Sequence, residues 1–465
     1  MNVFSNHPPT EELQALDAAH HLHPFTHGDE LARKGARVIT RANGVTLTDS
    51  DGNELLDAMA GLWCVNIGYG RDELAEAART QMRQLPYYNT FFNTTHMPAA
   101  SLAARLASLA PADLSHVFFA SSGSEANDTN IRLVRHYWAA RGKPDKQVII
   151  SRENAYHGSS VGSASLGGMA AMHAQGGLPI PGVAHIREPN WYALGGDSEP
   201  DEFGIACAGE LERKIAELGE DRVAAFIAEP VQGAGGVIIP PRTYWPEIQR
   251  ICDDHEILLI ADEVICGFGR TGEWFGCDTM RIRPQIMTIA KGVTSGYLPL
   301  GGSIVSTEVA DVVNDAGEFA HGYTYSGHPV ACAVALENLR IIEEEGLIGY
   351  VSGVAAPYLK AKWSELAEHP MVGEAGSLGL MASLALTPDK ARRAEFDAPR
   401  GVVGLRCREA SFADGLVMRH VGDRMVICPP LVVTPDEIDT LVERAWAAID
   451  KTYRWARAEG LVGGC

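Results

Sequence analysis

The stretch Ile286-Met287-Thr288-Ile289-Ala290-Lys291-Gly292 places a lysine directly after a nearly uninterrupted apolar run. An ammonium at the end of a buried strand is costly to desolvate, so we expect the pKa of Lys291 to fall toward neutrality. The neutral amine can attack a carbonyl carbon, as lysines that form Schiff bases do. The alternative is a strand-end lysine that is paired with a carboxylate. Lys291 is therefore the candidate nucleophile. The neighbouring motifs must decide between a reactive amine and a lysine in an ion pair.

The other eight lysines lie among charged residues, prolines or amphipathic helical patterns. Such surroundings are typical of a solvated surface, where the alkyl stem packs and the ammonium stays in water. We therefore expect surface positions for Lys34, Lys143, Lys146, Lys214, Lys360, Lys362, Lys390 and Lys451.

Length, charge and cysteine content exclude several classes of protein. The 465 residues, 46% of them hydrophobic, predict one large and one smaller domain. The net charge of −20 repels phosphate backbones and anionic lipids, so we expect neither a nucleic-acid nor a membrane partner. No apolar run approaches the roughly 20 residues that span a bilayer, and residues 1–10 lack a signal-peptide pattern. Nine cysteines without a Cys-x-x-Cys pair indicate reduced thiols and a cytoplasmic protein.

Between residues 115 and 307, short β-branched or aromatic runs alternate with amphipathic helical stretches. This alternation predicts an α/β domain with a mostly parallel sheet flanked by helices. The candidate strands are 117–119, 147–150, 224–228, 257–260, 285–289 and 302–305.

The two ends of the chain have a different pattern. Residues before about 60 contain hairpin-like turns, and residues after about 345 predict two long helices around a short sheet. We assign both ends to one discontinuous α+β domain. The predicted division is residues 1–60 and 346–465 for this small domain and residues 61–345 for the large one.

Reactive groups follow several candidate strands, at the edge where ligands collect in open α/β sheets. Ser122, Gly123 and Ser124 open an amphipathic helix, where exposed amides and hydroxyls favour an anion such as phosphate. The alternative is a helix that is merely well capped, because serine with glutamate three residues later is also a capping pattern. Glu229 follows a further strand. These strand ends predict one shared cleft.

Asp262 follows a buried strand, where its carboxylate needs a cationic or hydrogen-bonding partner. The protonated nitrogen of a pyridine ring is such a partner, and pyridoxal phosphate needs one to act as an electron sink. Tyr156 and His157 follow another strand, where an aromatic face can stack on that ring. A strand-end cap and a simple core-edge aromatic are the alternatives.

Four histidines near the N-terminus resemble a metal site. Pro24 and Gly28 interrupt the helix that would align them, and no zinc-finger spacing fits, so we expect no metal. These residues are His20, His21, His23 and His27.

A glycine pattern raises the alternative of a nicotinamide-dependent dehydrogenase. Gly267-Phe268-Gly269-Arg270-Thr271-Gly272 has the letters of the dinucleotide fingerprint. Neither the following helix nor the ribose-binding acid is present, so this alternative is weak.

Taken together, the motifs resemble those of the class III aminotransferases, which are fold type I enzymes of pyridoxal 5'-phosphate. The resemblance covers nearly the whole chain. The motifs are 122–127, 156–158, 262–264, Lys291-Gly292 and 324–329. Residues 60–65, 86–92, 262–270 and 418–419 are similar to the (S)-selective ω-transaminases, including putrescine and polyamine–pyruvate aminotransferases. This implies a seven-stranded, mostly parallel sheet in the large domain.

The resemblance also implies roles. Lys291 would carry the cofactor covalently, Asp262 would hold the pyridine nitrogen, and Tyr156 and Val264 would sandwich the ring. Thr324 would reach the phosphate of the neighbouring subunit in a homodimer. The other expected cofactor contacts are Ser122, Gly123, Ser124, His157 and Glu229.

Arg419 lies where these enzymes carry a mobile arginine that binds the carboxylate of pyruvate or alanine. A forked guanidinium suits a carboxylate. Without the resemblance, Arg419 would be interpreted as a surface arginine at the start of a strand. Phe25, Trp63 and Phe91 should line the substrate pocket with Tyr156, and Phe91 would come from the partner subunit.

Two positions depart from the wider family. Ile265 stands where many members have glutamine, which is the pattern of the amine–pyruvate branch and argues against ornithine-type enzymes. Ala375 stands where an arginine is common, so we expect different contacts in that part of the small domain.

The resemblance predicts a two-stage, ping-pong transfer of an amino group from a primary amine or diamine to pyruvate. The products would be an aldehyde or ketone and L-alanine. The alternatives are a β-alanine or taurine–pyruvate aminotransferase, an aminomutase, or a protein that binds the cofactor without turnover. A homodimer or tetramer is expected.

Overall fold

The computed structural model describes residues 8–463, which form three β-sheets with helices packed around them. The strands are β1 Ile39–Asn43, β2 Thr46–Asp49, β3 Glu54–Asp57, β4 Leu114–Ala120, β5 Val148–Arg152, β6 Val183–Ile186, β7 Val223–Ala228, β8 Leu258–Asp262, β9 Ile286–Ile289, β10 Gly301–Ser306, β11 Val372–Leu378, β12 Met381–Leu386, β13 Leu416–Val417, β14 Arg419–Val421 and β15 Arg424–Ile427.

The helices, apart from short 3-10 and π turns, surround these sheets. They are α1 Thr10–His20, α2 Gly28–Lys34, α3 Ala60–Trp63, α4 Asp72–Gln84, α5 Met97–Leu109, α6 Gly123–Ala140, α7 Val161–Leu166, α8 Ala170–His173, α9 Trp191–Leu194, α10 Pro200–Leu218, α11 Tyr244–Asp254, α12 Gly276–Met280, α13 Thr307–Asp315, α14 Pro329–Glu344, α15 Leu347–Tyr350, α16 Ala356–Glu365, α17 Val402–Ala413 and α18 Pro435–Ala458.

The central sheet has seven strands in the order β4-β10-β9-β8-β7-β5-β6. Strand β10 runs antiparallel to both of its neighbours, and the other strands are mutually parallel. The predicted α/β fold class is confirmed, and all six candidate strands are present. The carboxyl ends of β4, β5, β7, β8 and β9 therefore meet at one edge of the sheet, together with the start of β10.

The middle strands β7, β8 and β9 are buried along their whole length. Because helices cover both faces of the sheet, the sequences of these strands are continuous apolar runs rather than alternating patterns. Successive side chains point to opposite faces. Phe226 and Leu259 pack in one apolar cluster, whereas Ile227 and Ile260 pack in the other.

Strand β6 was not predicted from the sequence. It pairs only with β5, at the edge of the sheet, and most of it is half-buried. Its four residues include a histidine, so it lacks the long apolar run that identifies the inner strands.

The two ends of the chain share a second core. The parallel pairing of β3 with β13 joins residues 56–57 to residues 416–417. Leu56 packs in one cluster with Trp363, Ile427 and Ile449. This shared core supports a discontinuous small domain, and its exact boundaries stay a prediction.

The surface position predicted for Lys146 is wrong. Its side chain is only 3% exposed, and Nζ lies 4.3 Å from the ring centroid of Trp138. The ammonium donates to the carbonyl oxygen of Glu256 at 3.2 Å, and burial lowers the pKa of Lys146. The flanking charges suggested solvent, but the stem packs against an aromatic ring from α6.

Within residues 8–463, no helix is both long and apolar enough to cross a membrane. The eight cysteines in this range are unpaired, which agrees with the predicted free thiols.

Candidate active site

A cavity of about 420 Å³ opens at the carboxyl edge of the central sheet. It brings together nine of the predicted site residues, although they come from five separate segments of the chain. These are Ser122, Gly123, Ser124, Tyr156, His157, Glu229, Asp262, Val264 and Lys291. The predicted shared cleft therefore exists.

Lys291 lies just after β9 and lines the cavity. Within residues 8–463 its Nζ makes no hydrogen bond and no ion pair, so the strand-end ion pair considered from the sequence does not form. Burial lowers the pKa of Lys291, and the negative charge of Asp262 acts in the opposite direction. Its φ of +50° is left-handed, a conformation that costs a non-glycine residue about 1–3 kcal/mol and that clusters at functional sites.

Asp262 ends β8 and is only 3% exposed. Its Oδ1 accepts the backbone N–H of Val264 at 3.1 Å. Its Oδ2 accepts from Nδ1 of His157 at 2.7 Å and from Nδ2 of Asn127 at 2.9 Å. Because the carboxylate can only accept, Nδ1 of His157 carries the hydrogen. Two side-chain donors and one backbone donor therefore surround Asp262, and Lys291 is not among them.

The start of α6 forms one wall of the cavity. Ser122 caps the helix by accepting the N–H of Glu125 at 3.2 Å, and Glu125 accepts the N–H of Ser121 at 2.7 Å. The capping explanation is thus correct for Ser122. The amides of Gly123 and Ser124, in the first turn, have no acceptor within the helix and can bind an anion.

Only glycine fits easily at position 123. A Cβ there would lie 3.0 Å from Cγ2 of Val264, a closer approach than real Cβ atoms usually make. The backbone of α6 and the side chain of Val264 can therefore enclose a flat group closely.

Glu229 holds the loop that carries Tyr156. Its two carboxylate oxygens accept the N–H of Tyr156 at 3.2 Å and the N–H of Gly233 at 2.8 Å. Burial raises the pKa of Glu229. The ring of Phe25 lies 6.4 Å from that of Tyr156 in an edge-on arrangement, and Phe25 is 77% exposed.

Arg419 is the first residue of β14. Tyr156 is close enough to interact electrostatically with its guanidinium. Burial lowers the pKa of the guanidinium, and Tyr156 acts in the opposite direction. No carboxylate in the described part of the chain pairs with it. A half-buried guanidinium without a counter-ion is suited to bind an anionic ligand.

Five predicted site residues do not line this cavity: Phe25 and Arg419, described above, and Trp63, Phe91 and Thr324. Trp63 is 2% exposed and packs in a core cluster with Ile265, while the neighbouring Cys64 forms the cavity wall. Phe91 lines a second cavity of about 810 Å³. Thr324 is exposed, and its carbonyl oxygen accepts the hydroxyl of Tyr87 at 2.6 Å. Their roles stay predictions.

Several functional neighbours were missed by the sequence reasoning. Cys64, Leu298 and Leu300 line the cavity, and Asn127 contacts Asp262. Cys64 and Asn127 lie in the motifs 60–65 and 122–127, although neither was assigned a role. Asn127 also falls on the apolar stripe of α6, where a buried amide needs partners.

Two of the four N-terminal histidines, His21 and His23, cluster with Asp17, and the ligand atoms of these three residues lie within 4.8 Å of one another. Asp17 accepts from Nδ1 of His21 at 3.0 Å and from Nε2 of His23 at 2.7 Å. These hydrogen bonds lower the pKa of Asp17. His20 and His27 are not part of this group.

Near the unusual Ala375, the guanidinium of Arg424 comes from β15. It pairs with Glu374 and donates to the hydroxyl of Ser383 and the carbonyl oxygen of Gly236. Strands β11, β12 and β15 are thus tied to the loop that follows β7.

Glu263 is fully buried behind the cavity. Its carboxylate accepts the N–H groups of Gly276 at 2.9 Å and Cys277 at 2.6 Å. Burial raises the pKa of Glu263 from 4.5 to about 7. Between these values the unfolded chain releases a proton that the folded protein keeps, so this group's contribution to stability falls as the pH rises.

We expect Glu263→Gln to remove this pH dependence. The unfolding free energy of the variant relative to the wild type should increase by about 1–3 kcal/mol between about pH 5 and pH 8. Chemical denaturation at several pH values measures this difference. For the control Glu443→Gln, at an exposed position, the difference in unfolding free energy from the wild type should not change with pH. The absence of a pH-dependent difference for Glu263→Gln would contradict the proposed effect of burial.

Comparison with known proteins identifies the family. Residues 30–449 match the family model for Aminotransferase class-III. The chain is 58% identical over 452 residues to the putrescine–pyruvate aminotransferase of Pseudomonas aeruginosa, covering 97% of this chain and 99% of that one.

Two solved structures are similar along nearly the whole chain. The ω-transaminase of Pseudomonas jessenii in complex with PMP has a TM-score of 0.93 and 42% identity, covering 95% of this chain and 98% of that one. The (S)-enantioselective ω-transaminase of Thermomicrobium roseum has a TM-score of 0.93 and 44% identity, covering 96% and 99%. This chain therefore belongs to the class III aminotransferases, a family of pyridoxal-phosphate-dependent enzymes.

Proposed function

We propose that this aminotransferase moves an amino group from a primary amine or diamine to pyruvate, releasing an aldehyde or ketone and L-alanine. The observation that carries the proposal is the unpaired amine of Lys291, in a cavity shared with Asp262 and the start of α6. The similarity to a putrescine–pyruvate aminotransferase supports pyruvate as the acceptor and a diamine as a donor.

The cavity fits pyridoxal 5'-phosphate in its chemistry. The first-turn amides of Gly123 and Ser124 suit the phosphate, and the buried Asp262 suits the pyridine nitrogen. Tyr156 and Val264 supply an aromatic and an aliphatic face for the ring. When bound, the cofactor supplies an aldehyde that condenses with amines and a ring that withdraws electrons from the substrate carbon.

Lys291 has two tasks in this proposal. Its neutral amine would hold the cofactor through the aldehyde carbon, at the position that the substrate amine takes in turn. The freed Nζ would then move the proton from the substrate carbon that bears the amino group to the carbon of the cofactor that receives this group. Burial makes both tasks easier, because it disfavours the ammonium form.

Arg419 would hold the carboxylate of pyruvate and move aside for an amine without one. Phe25, Trp63 and Phe91 would form an apolar surround for the alkyl or aryl part of the donor. For Phe91 and Thr324 we propose a contribution from the partner subunit of a homodimer, since neither lines the cavity within one chain. The cytoplasmic location stays a prediction.

The protein supplied with pyridoxal phosphate, putrescine and pyruvate should form L-alanine in stoichiometric amount with amine consumed. An amine alone should bleach its yellow colour, and pyruvate should restore it, because the two half-reactions are separable. Chiral chromatography and absorbance measure these outcomes. An aminomutase would form no alanine, and a protein without bound cofactor would remain colourless; either result would refute the proposal.

Replacing Arg419 should separate the two substrates. We expect Arg419→Gln to lower kcat/KM for pyruvate roughly 10- to 100-fold, the effect of losing charge-assisted hydrogen bonds. The half-reaction with putrescine should change by less than about threefold. Arg408→Gln removes an exposed guanidinium nearby and should leave both half-reactions close to the wild type. Equal losses for amine and pyruvate would rule out a carboxylate-specific role.

A further inference from the structure

A chain of buried polar side chains ends at the carboxylate of Asp262. Its members come from α6, β9 and β10, and all have no exposed surface. They are Asn127, Asn130, Thr288 and Ser303. Buried polar groups of this kind are costly unless each one is satisfied, so their hydrogen bonds can be traced completely.

Asn127 uses its whole amide. Nδ2 donates to Oδ2 of Asp262 at 2.9 Å and to the carbonyl oxygen of His157 at 2.8 Å. Oδ1 accepts from Oγ1 of Thr288 at 2.8 Å and from Nδ2 of Asn130 at 3.1 Å. Both acceptors of Nδ2 lack a proton to give, so the amide has only one possible orientation.

The remaining bonds run in the same direction. Asn130 donates through Nδ2 to Oγ1 of Thr288 at 2.8 Å, and its Oδ1 accepts the hydroxyl of Ser303 at 2.6 Å. One continuous series of donors therefore runs from Ser303 through Asn130 and Asn127 to Asp262. The hydroxyl of Ser303 also lies 3.4 Å from the carbonyl oxygen of Ala126, a longer and weaker contact. Bonds aligned in this way polarise one another, and their positive end lies at the carboxylate.

We propose that Asn127 is a positioning residue for the cofactor and that the chain behind it favours the negative charge of Asp262. Asn127 and His157 occupy Oδ2 and fix the rotation of the carboxylate. A carboxylate fixed in this rotation would pair with the protonated pyridine nitrogen. The inference rests on the proposed role of Asp262 toward that nitrogen.

A purely structural role for Asn127 predicts a different pattern of ligand binding. Asn127 also links α6 to the loop after β5 through the carbonyl oxygen of His157. If that link were its whole purpose, a substitution would weaken all ligands of the cavity alike. If Asn127 acts through Asp262, the loss should appear only for a ligand with a ring N–H.

The test compares pyridoxal phosphate with 1-deazapyridoxal phosphate, which has a C–H in place of the ring nitrogen. Their dissociation constants are measured by absorbance titration of the apo-protein. We expect the wild type to prefer pyridoxal phosphate and Asn127→Leu to reduce this preference roughly tenfold. Thr288→Val should reduce it less, and Ser303→Ala least, because the effect weakens along the chain.

The outcomes separate the two proposals. Equal weakening of both ligands by Asn127→Leu, or equal effects of Asn127→Leu and Ser303→Ala, would overturn the inference and leave the proposed function intact. A wild type with no preference for the ring nitrogen would overturn the assigned role of Asp262, and with it the inference. Failure of the wild type to bind either ligand would refute the proposed function itself.

Discussion

The free amine of Lys291 is the feature on which the rest of the site depends. A carboxylate in direct contact would hold that amine as an ammonium and abolish its nucleophilicity. The nearby carboxylate, Asp262, instead accepts from His157, Asn127 and the backbone of Val264. These donors satisfy its charge without drawing in Lys291. The amine and the carboxylate thus stay separate, each available for a different part of a ligand.

The topology of the sheet makes this separation possible. Strands β8 and β9 are parallel neighbours, so Asp262 and Lys291 leave the sheet at the same edge. The left-handed backbone at Lys291 turns the chain away from the strand direction at that point. Such a conformation persists only where the surroundings enforce it, and the fully buried strands β8 and β9 do so. Rigid strands thereby support a strained, reactive residue.

The sequence predicted most of the central sheet and most of the cavity, because both depend on local patterns. Continuous apolar runs marked the inner strands, and the polar residues at their ends converge wherever such strands are parallel. Strand β6 was missed because a short edge strand needs little apolar content. The burial of Lys146 depends on Trp138, a contact that flanking charges do not reveal. The burial of Trp63 and the contact of Asn127 with Asp262 arise from packing between distant segments of the chain. The position of Cys64 in the cavity wall also depends on such packing.

Reduction of the cofactor-loaded protein with borohydride, followed by peptide mapping, tests the role of Lys291 most directly. The reduced label should lie on Lys291 alone, and Lys291→Ala should acquire none while the exposed control Lys360→Ala is labelled like the wild type. A label on another lysine, or full turnover by Lys291→Ala, would contradict the central role of this amine.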